Sequence, residues 1–146
     1  MELFEKTAAL LGGSKVLGTI PQDPLAAVEL VRRGLPPRTL ESLKTKLGTS
    51  LDDLAETLNL PKRTLERRLS APDARLNDKE SERVYRLARI VARAEEVFGD
   101  LTKAFRWLGK ENRALGGAKP LGLLDTDVGT TAVEDVLTRI EEGVVS

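Results

Sequence analysis

The strongest chemical signal in the sequence is a short basic run between Pro61 and Ser70. Four basic residues stand against one acid, Glu66, within about two helical turns. Arginine can pair bidentately with guanine in the major groove, whereas lysine and threonine suit phosphate oxygens. The candidate nucleic-acid contacts are Lys62, Arg63, Thr64, Arg67 and Arg68. An ordinary solvated helix face, or a contact with RNA or protein, is the alternative interpretation.

Two short helices must position these side chains. Ser50 is a candidate N-cap for the first helix, and the spacing of the leucines that follow predicts one apolar face. Asn59 can adopt a left-handed conformation and so break the chain tightly before Pro61, which begins the second helix. Small Ala55 allows the two helices to cross closely. Two helices joined by so brief a turn are typical of a helix-turn-helix motif, which favours DNA as the ligand of the basic run.

Composition favours helices along the rest of the chain. Apolar residues make up 40% of the sequence and aromatic residues only 3%, which suits packed helices better than a sandwich. We predict an all-α fold: a loose arm with one short helix over residues 1–19, a helix-turn-helix bundle over 20–99 and a small helical domain over 100–146. Further N-cap candidates are Asp23, Asp100 and either Thr126 or Thr131.

Several classes of chemistry are excluded or disfavoured. The chain has no cysteine and no histidine, so it has no Cys/His zinc site and no Ser–His or Cys–His nucleophile pair. Six acidic residues lie between Asp125 and Glu142, but no nucleophile or phosphate-binding loop accompanies them. We therefore expect that the protein is not an enzyme and that it has no catalytic residue, no metal and no cofactor. No signal peptide and no membrane helix is evident, which indicates a cytoplasmic protein.

The zero net charge conceals a segregation of charge. Residues 1–31 carry a net charge of −2, residues 32–106 of +5 and residues 107–146 of −3. A basic middle suits a polyanion, which an acidic end would repel, so two partners are indicated. A second basic series, Arg83, Arg86, Arg89 and Arg93, lies near one face of a long predicted helix. It could flank DNA, contact another subunit or be a solvated face.

The sequence resembles the Xre/MbcA/ParS antitoxins over about residues 20–146. The resemblance rests on DPLAAVELVRRGLP (23–36), LAETLNLPKRTLERR (54–68), YRLARIVARAEEVFG (85–99) and the stretch from Ala104 to Val144. In that last stretch the Trp107-Leu108 pair, the Leu115-Gly116-Gly117 loop and the Leu124-Asp125-Thr126 segment stand in the family's order. Gly129-Thr130-Thr131 departs from the more helix-favouring residues usual there.

The resemblance implies two partners. One is a RES-domain toxin that acts on NAD and is blocked at its active-site cleft by the C-terminal domain of the antitoxin. The other is operator DNA of the protein's own promoter, which the helix-turn-helix represses, with a homodimer as the minimum unit and a higher-order complex with the toxin.

The last residues are the candidate toxin contacts: Arg139, Glu141, Glu142, Gly143, Val144, Val145 and Ser146. An NAD-binding cleft must attract pyrophosphate, so an anionic tail could act there as a substrate mimic, with the two valines filling apolar space. A frayed chain end is the alternative. For the whole protein the competing function is a stand-alone transcriptional regulator whose C-terminal domain only dimerises, and an RNA-binding or scaffold protein is a third.

Overall fold

Helices account for all the regular secondary structure between residues 2 and 143, the part of the chain that the computed structural model describes. The α-helices are α1 Leu3–Leu10, α2 Gly13–Leu17, α3 Pro24–Arg33, α4 Arg38–Leu47, α5 Leu51–Leu58, α6 Lys62–Leu69, α7 Asp78–Phe98, α8 Leu101–Leu108 and α9 Asp127–Glu141. Two 3-10 helices, Arg113–Leu115 and Pro120–Leu123, lie between α8 and α9. The all-α prediction is confirmed. Within this range, no helix is long and apolar enough to cross a membrane.

The chain forms two compact units that divide between Arg89 and Ile90, inside α7. The predicted boundary lay after Gly99, at the end of that helix. Helical periodicity indicates where a helix ends, but it does not indicate which neighbours each half of the helix packs against. The two units are described separately below.

In the first unit, residues 3–17 fold back onto α4 instead of forming the loose arm that we expected. Leu11 and Leu17 are buried, and α1 ends against α4. There the Ser42 hydroxyl donates to the Leu10 carbonyl at 2.9 Å and the Lys46 ammonium donates to the Ala9 carbonyl. The bond to Leu10 satisfies a carbonyl that the end of α1 leaves without a helical partner, whereas the Ala9 carbonyl also accepts the Gly12 N–H at 3.2 Å. Gly12 and Gly13, both at positive φ, make a sharp turn between α1 and α2.

The helix-turn-helix core forms where the sequence predicts it. Ser50 caps α5 by accepting the Asp53 N–H, and Asn59 ends that helix at φ 54°, in the left-handed region. Ala55 is buried where α5 and α6 pack together. Leu65 is the residue of α6 with the most complete burial, at 1% exposure. Burial of this one leucine fixes which face of α6 turns inward and therefore which face turns out.

The start of α7 is tied to the first unit by polar contacts. Asn77 and Glu80 form a reciprocal capping box: Asn77 Oδ1 accepts the Glu80 N–H at 2.8 Å, and Glu80 Oε1 accepts the Asn77 N–H at 2.9 Å. The buried Ser81 hydroxyl accepts the N–H of Leu35 and donates to the carbonyl of Leu76. These contacts fix the register in which α7 leaves the preceding loop.

The second unit has an aliphatic core and contains one contact between aromatic rings. The rings of Phe98 and Trp107 lie 5.5 Å apart, centroid to centroid, at an interplanar angle of 43°. Of the two proposed caps for α9, Thr126 is the one used: its hydroxyl accepts the Gly129 N–H at 2.9 Å. The fully buried aliphatic residues of this unit are Ile90, Val91, Ala92, Ala94, Ala104, Leu108, Val133, Val136 and Leu137.

Candidate functional site

Two cations on α6 face solvent together. Arg63 and Arg67 are both exposed and are separated by four residues, so they lie on the same side of the helix. Their side is opposite to the buried Leu65. Thr64 is half-buried between them in sequence. The outer surface of α6 therefore carries two arginines that do not pack in the core and that are able to reach a base edge or a phosphate.

Lys62, at the start of α6, is held by an acid on the neighbouring helix. Its ammonium lies 2.8 Å from Asp52 Oδ1, and both side chains are largely exposed. The hydrogen bond with Asp52 and the charge of that carboxylate raise the pKa of Lys62. An exposed pair of this kind contributes little to stability. It does, however, fix the lysine near the α5 end of the motif and neutralise part of its charge.

Arg68 is placed differently from the other cations of α6. Its Nε lies 2.9 Å from Glu80 Oε1, and the Glu80 side chain is only 6% exposed. The arginine is itself mostly covered, with 21% of its side chain exposed. The structure thus groups Lys62, Arg63 and Arg67 on the outside of α6 and directs Arg68 toward the start of α7. The pattern of basic residues does not separate these two environments, because nothing local to α6 indicates a carboxylate twelve positions later.

The second basic series makes contacts within the chain. The Arg83 guanidinium donates to the main-chain oxygens of Leu58 and Asn59, at the turn of the helix-turn-helix. Arg86 lies 3.1 Å from Glu82 one turn earlier on α7. Arg93, in the second unit, binds Glu141. Arg83, Arg86 and Arg93 therefore each make a contact within the chain.

The predicted toxin contacts lie at the end of α9. Arg139, Glu142 and Gly143 are exposed, whereas Glu141 is engaged by Arg93 through both carboxylate oxygens, at 2.8 and 3.0 Å. The hydrogen bond from Arg93 and its positive charge lower the pKa of Glu141. Val144, Val145 and Ser146 lie outside the described residues. Between residues 2 and 143, no group of three or more acidic, cysteine or histidine side chains is arranged to hold a metal ion.

Comparison with known proteins matches both units to protein families. Residues 26–89 match the antitoxin Xre-like helix-turn-helix domain, and residues 93–143 match the antitoxin Xre/MbcA/ParS C-terminal toxin-binding domain. The antitoxin Xre of Yersinia enterocolitica is 31% identical over 120 residues, which cover 82% of this chain and 80% of that protein. The chain belongs to the Xre antitoxin family.

Two further relatives bear on this family member. The antitoxin Xre of Pseudomonas putida is 45% identical over 84 residues, which cover 58% of this chain. The match spans about half of that relative's length, 52%. The Prs ADP-ribosylating antitoxin of a Sphingobium species is 28% identical over 130 residues, covering 83% of this chain and 81% of that protein. The Xre-family chain thus carries a helix-turn-helix domain followed by a C-terminal toxin-binding domain.

Proposed function

We propose that this Xre-family antitoxin represses its own operon by placing α6 in the major groove of operator DNA. The observation that carries the proposal is the pair of exposed arginines, Arg63 and Arg67, one helical turn apart on the second helix of the motif. Their exposed position opposite the buried Leu65 leaves both guanidinium groups free to approach guanine edges. Lys62 and Thr64 add phosphate contacts at the start of the same helix.

The DNA-binding proposal is tested by titrating the full chain against its upstream promoter fragment. Arg63→Ala and Arg67→Ala should each weaken specific binding by about 1–3 kcal/mol, the value of one bidentate base contact. Arg106→Ala is the matched control, because it removes the same charge from an exposed position on α8 in the other unit. Operator binding that is equally strong in both α6 variants and in the control would remove this helix from the interface.

We further propose that the C-terminal domain neutralises a RES-domain toxin that consumes NAD, within a complex built on an antitoxin homodimer. The match of residues 93–143 to a toxin-binding domain supports the general role. The resemblance of the Ala104 to Val144 stretch to the Xre/MbcA/ParS antitoxins supports the RES class of toxin. The Sphingobium relative is named for ADP-ribosylation, a reaction that draws ADP-ribose from NAD, and this name agrees with an NAD-using partner.

Co-expression with the neighbouring gene product tests the second proposal. A RES-domain partner should co-purify with the full chain, and its NAD consumption should fall as the antitoxin is titrated in. Arg139→Glu should weaken this inhibition because it reverses an exposed charge on α9. Arg106→Glu makes the same charge reversal at an exposed position on α8 and is the control, which should inhibit as the wild type does. If no toxin co-purifies while the promoter is still bound, the protein is a stand-alone regulator whose C-terminal domain serves only assembly.

A further inference from the structure

Two side chains of α7 contact α6 and the turn that precedes it. Glu80 lies against Arg68 near the C-terminal end of α6, with Arg68 Nε 2.9 Å from Glu80 Oε1. One turn further along α7, Arg83 donates to the carbonyls of Leu58 and Asn59, immediately before α6 begins. The spacing of three residues places Glu80 and Arg83 on one side of α7. This pair of α7 side chains is called the α7 clamp below.

The acidic half of the clamp is firmly built. Glu80 is buried, and the oxygen that faces Arg68 also accepts the Asn77 N–H at 2.9 Å. The capping box therefore fixes the position of the Glu80 carboxylate independently of Arg68. A buried carboxylate requires a charged partner, because an unpaired charge in such a position is strongly destabilising. Arg68 supplies that partner as an ion pair, in which the charges offset each other although the buried Nε–H of Arg68 makes no hydrogen bond with any described residue.

The basic half of the clamp acts on the turn. The carbonyls of Leu58 and Asn59 lie at the C-terminal end of α5, where the helix leaves oxygens without helical partners and concentrates negative partial charge. A guanidinium that donates to both oxygens satisfies them and holds Asn59 in its left-handed conformation. Since α6 starts three residues after Asn59, the direction of this turn sets the direction of α6.

We propose that the α7 clamp sets the angle at which α6 meets DNA, and that Arg68 is a positioning residue that does not itself touch the nucleic acid. This inference rests on the proposed DNA-binding function, and it assigns the four cations of α6 different roles. Arg63 and Arg67 reach the DNA, Lys62 adds a phosphate contact, and Arg68 holds the helix. Arg83, on α7, belongs to the same positioning device although its charge alone would suit phosphate.

Salt dependence separates a positioning residue from a phosphate contact. When a phosphate contact is lost, the slope of log K, the DNA-binding constant, against log salt concentration falls by about 0.9 in magnitude. A misaligned helix instead loses sequence-specific contacts, while the number of phosphates neutralised in non-specific binding stays the same. The informative measurements are therefore operator affinity and the slope of non-specific binding, each taken over a range of salt concentrations. Far-ultraviolet circular dichroism verifies that every variant retains its helix content.

The first variant is the double replacement Arg68→Gln with Glu80→Gln. It exchanges the buried ion pair for two amides and keeps a capping residue of suitable length at position 80. We expect about 10-fold weaker operator binding, the loss of about one good base contact, with an unchanged slope for non-specific DNA. Lys62→Gln, which removes the proposed phosphate contact, is the comparator, and its slope should fall by about 0.9. A slope that falls as far in the double variant as in Lys62→Gln would overturn the role given to Arg68.

The second variant keeps the proposal testable if the first one fails to fold. Arg83→Met retains the apolar stem of the side chain but removes the donors to Leu58 and Asn59, and Arg83→Lys restores one donor. We expect operator binding to weaken in Arg83→Met with the slope unchanged, and to recover in part in Arg83→Lys. Wild-type operator affinity in Arg83→Met, or a reduced slope, would overturn the clamp alone. Absence of promoter binding by the wild-type chain would instead overturn the DNA-binding function, and the clamp with it.

Discussion

Arg93 on α7 holds Glu141 on α9 by two hydrogen bonds, one from each terminal nitrogen to a different carboxylate oxygen. The same guanidinium lies 3.5 Å from Glu96, so Arg93 links two acids of the second unit. Bidentate pairs of this kind are geometrically specific as well as stronger than single contacts. The end of α9 is therefore anchored by a side chain that the sequence presents merely as one arginine in a basic series.

The first prediction concerns the acid sensitivity of this anchor. Because Arg93 lowers the pKa of Glu141 in the folded protein, the pair contributes stability that is fully present above the unfolded pKa, about 4.3. That contribution is lost as the pH falls through the lower, folded pKa of Glu141. The second unit should thus melt at a progressively lower temperature below about pH 4. Trp107 is the chain's single tryptophan and lies in this unit, so its fluorescence reports the transition.

Two glutamine variants make the acid experiment specific. Glu141→Gln should lower the melting temperature at neutral pH, and its difference from the wild type should disappear as the pH falls. Glu142→Gln makes the same change one residue along and should keep the wild-type acid profile. Identical profiles for the wild type and Glu141→Gln at every pH would show that the pair does not stabilise the unit.

The second prediction concerns Gly129, in the first turn of α9. A Cβ at this position would lie 2.0 Å from the carbonyl oxygen of Leu123, which belongs to the preceding 3-10 helix. Main-chain atoms cannot rotate away as a side chain can, so Gly129→Ala should destabilise the second unit by about 1–3 kcal/mol. Urea unfolding followed by Trp107 fluorescence measures the loss.

Gly122→Ala is the matched control for Gly129→Ala. A Cβ at Gly122 would meet no atom within 4 Å, although the residue lies only a few positions earlier in the same unit. Its free energy of unfolding should change by no more than about 0.5 kcal/mol. If both alanine variants unfold at the same urea concentration, the close approach of Gly129 to Leu123 is not what selects glycine there.

Gly129 also illustrates what local sequence patterns omit. The Gly129-Thr130-Thr131 stretch departs from helix-favouring residues, which left the start of the last helix open between two threonine caps. The helix in fact begins at Asp127, because Thr126 caps it and the glycine accommodates a neighbouring carbonyl. The caps Ser50 and Asp100, by contrast, were predictable because donor and acceptor lie within one turn of the helix.

The third prediction concerns Asn59, whose left-handed conformation was expected from its residue type. Asn59→Ala should cost about 1 kcal/mol, because residues with an ordinary Cβ adopt this region at a steric cost. Asn59→Gly should be close to neutral, since glycine adopts the region freely. Tyr85 is the chain's single tyrosine and lies in the first unit, so its near-ultraviolet circular dichroism signal follows this unfolding. Equal stability of the two variants would contradict a strained turn.

The candidate site was predictable only where the relevant residues are neighbours in sequence. Arg63 and Arg67 could be assigned to the outer face of α6 from the position of Leu65 alone. The burial of Arg68 against Glu80 could not, because the two lie on different helices. The same limit applies to the N-terminal residues: the sequence predicts a loose arm there because their partner, α4, lies some thirty positions away. Contacts between distant positions leave no periodic trace.

The last prediction tests the proposal that the end of the chain acts as a substrate mimic in a toxin's cleft. Since Arg93 already occupies the Glu141 carboxylate, an anionic substrate mimic would have to use Glu142 and the residues after it, or break the anchor at a cost. Deletion of residues 143–146 should therefore leave operator binding and the Trp107 melting transition intact while weakening the inhibition of NAD consumption by purified toxin. Glu142→Gln in the full chain should weaken inhibition as well, because a cleft that binds pyrophosphate must be cationic.

Glu141→Gln separates the tail from the helix surface. If the tail acts as the mimic and the Arg93 anchor merely aims it, Glu141→Gln should weaken inhibition less than the deletion does, and added salt should reduce the inhibitory effect of Glu142 by screening its charge. If instead the exposed surface around Arg139 blocks the toxin, the shortened chain should inhibit as well as the full chain, and only Arg139→Glu should fail. Equal inhibition by the shortened and full chains would exclude the substrate-mimic hypothesis.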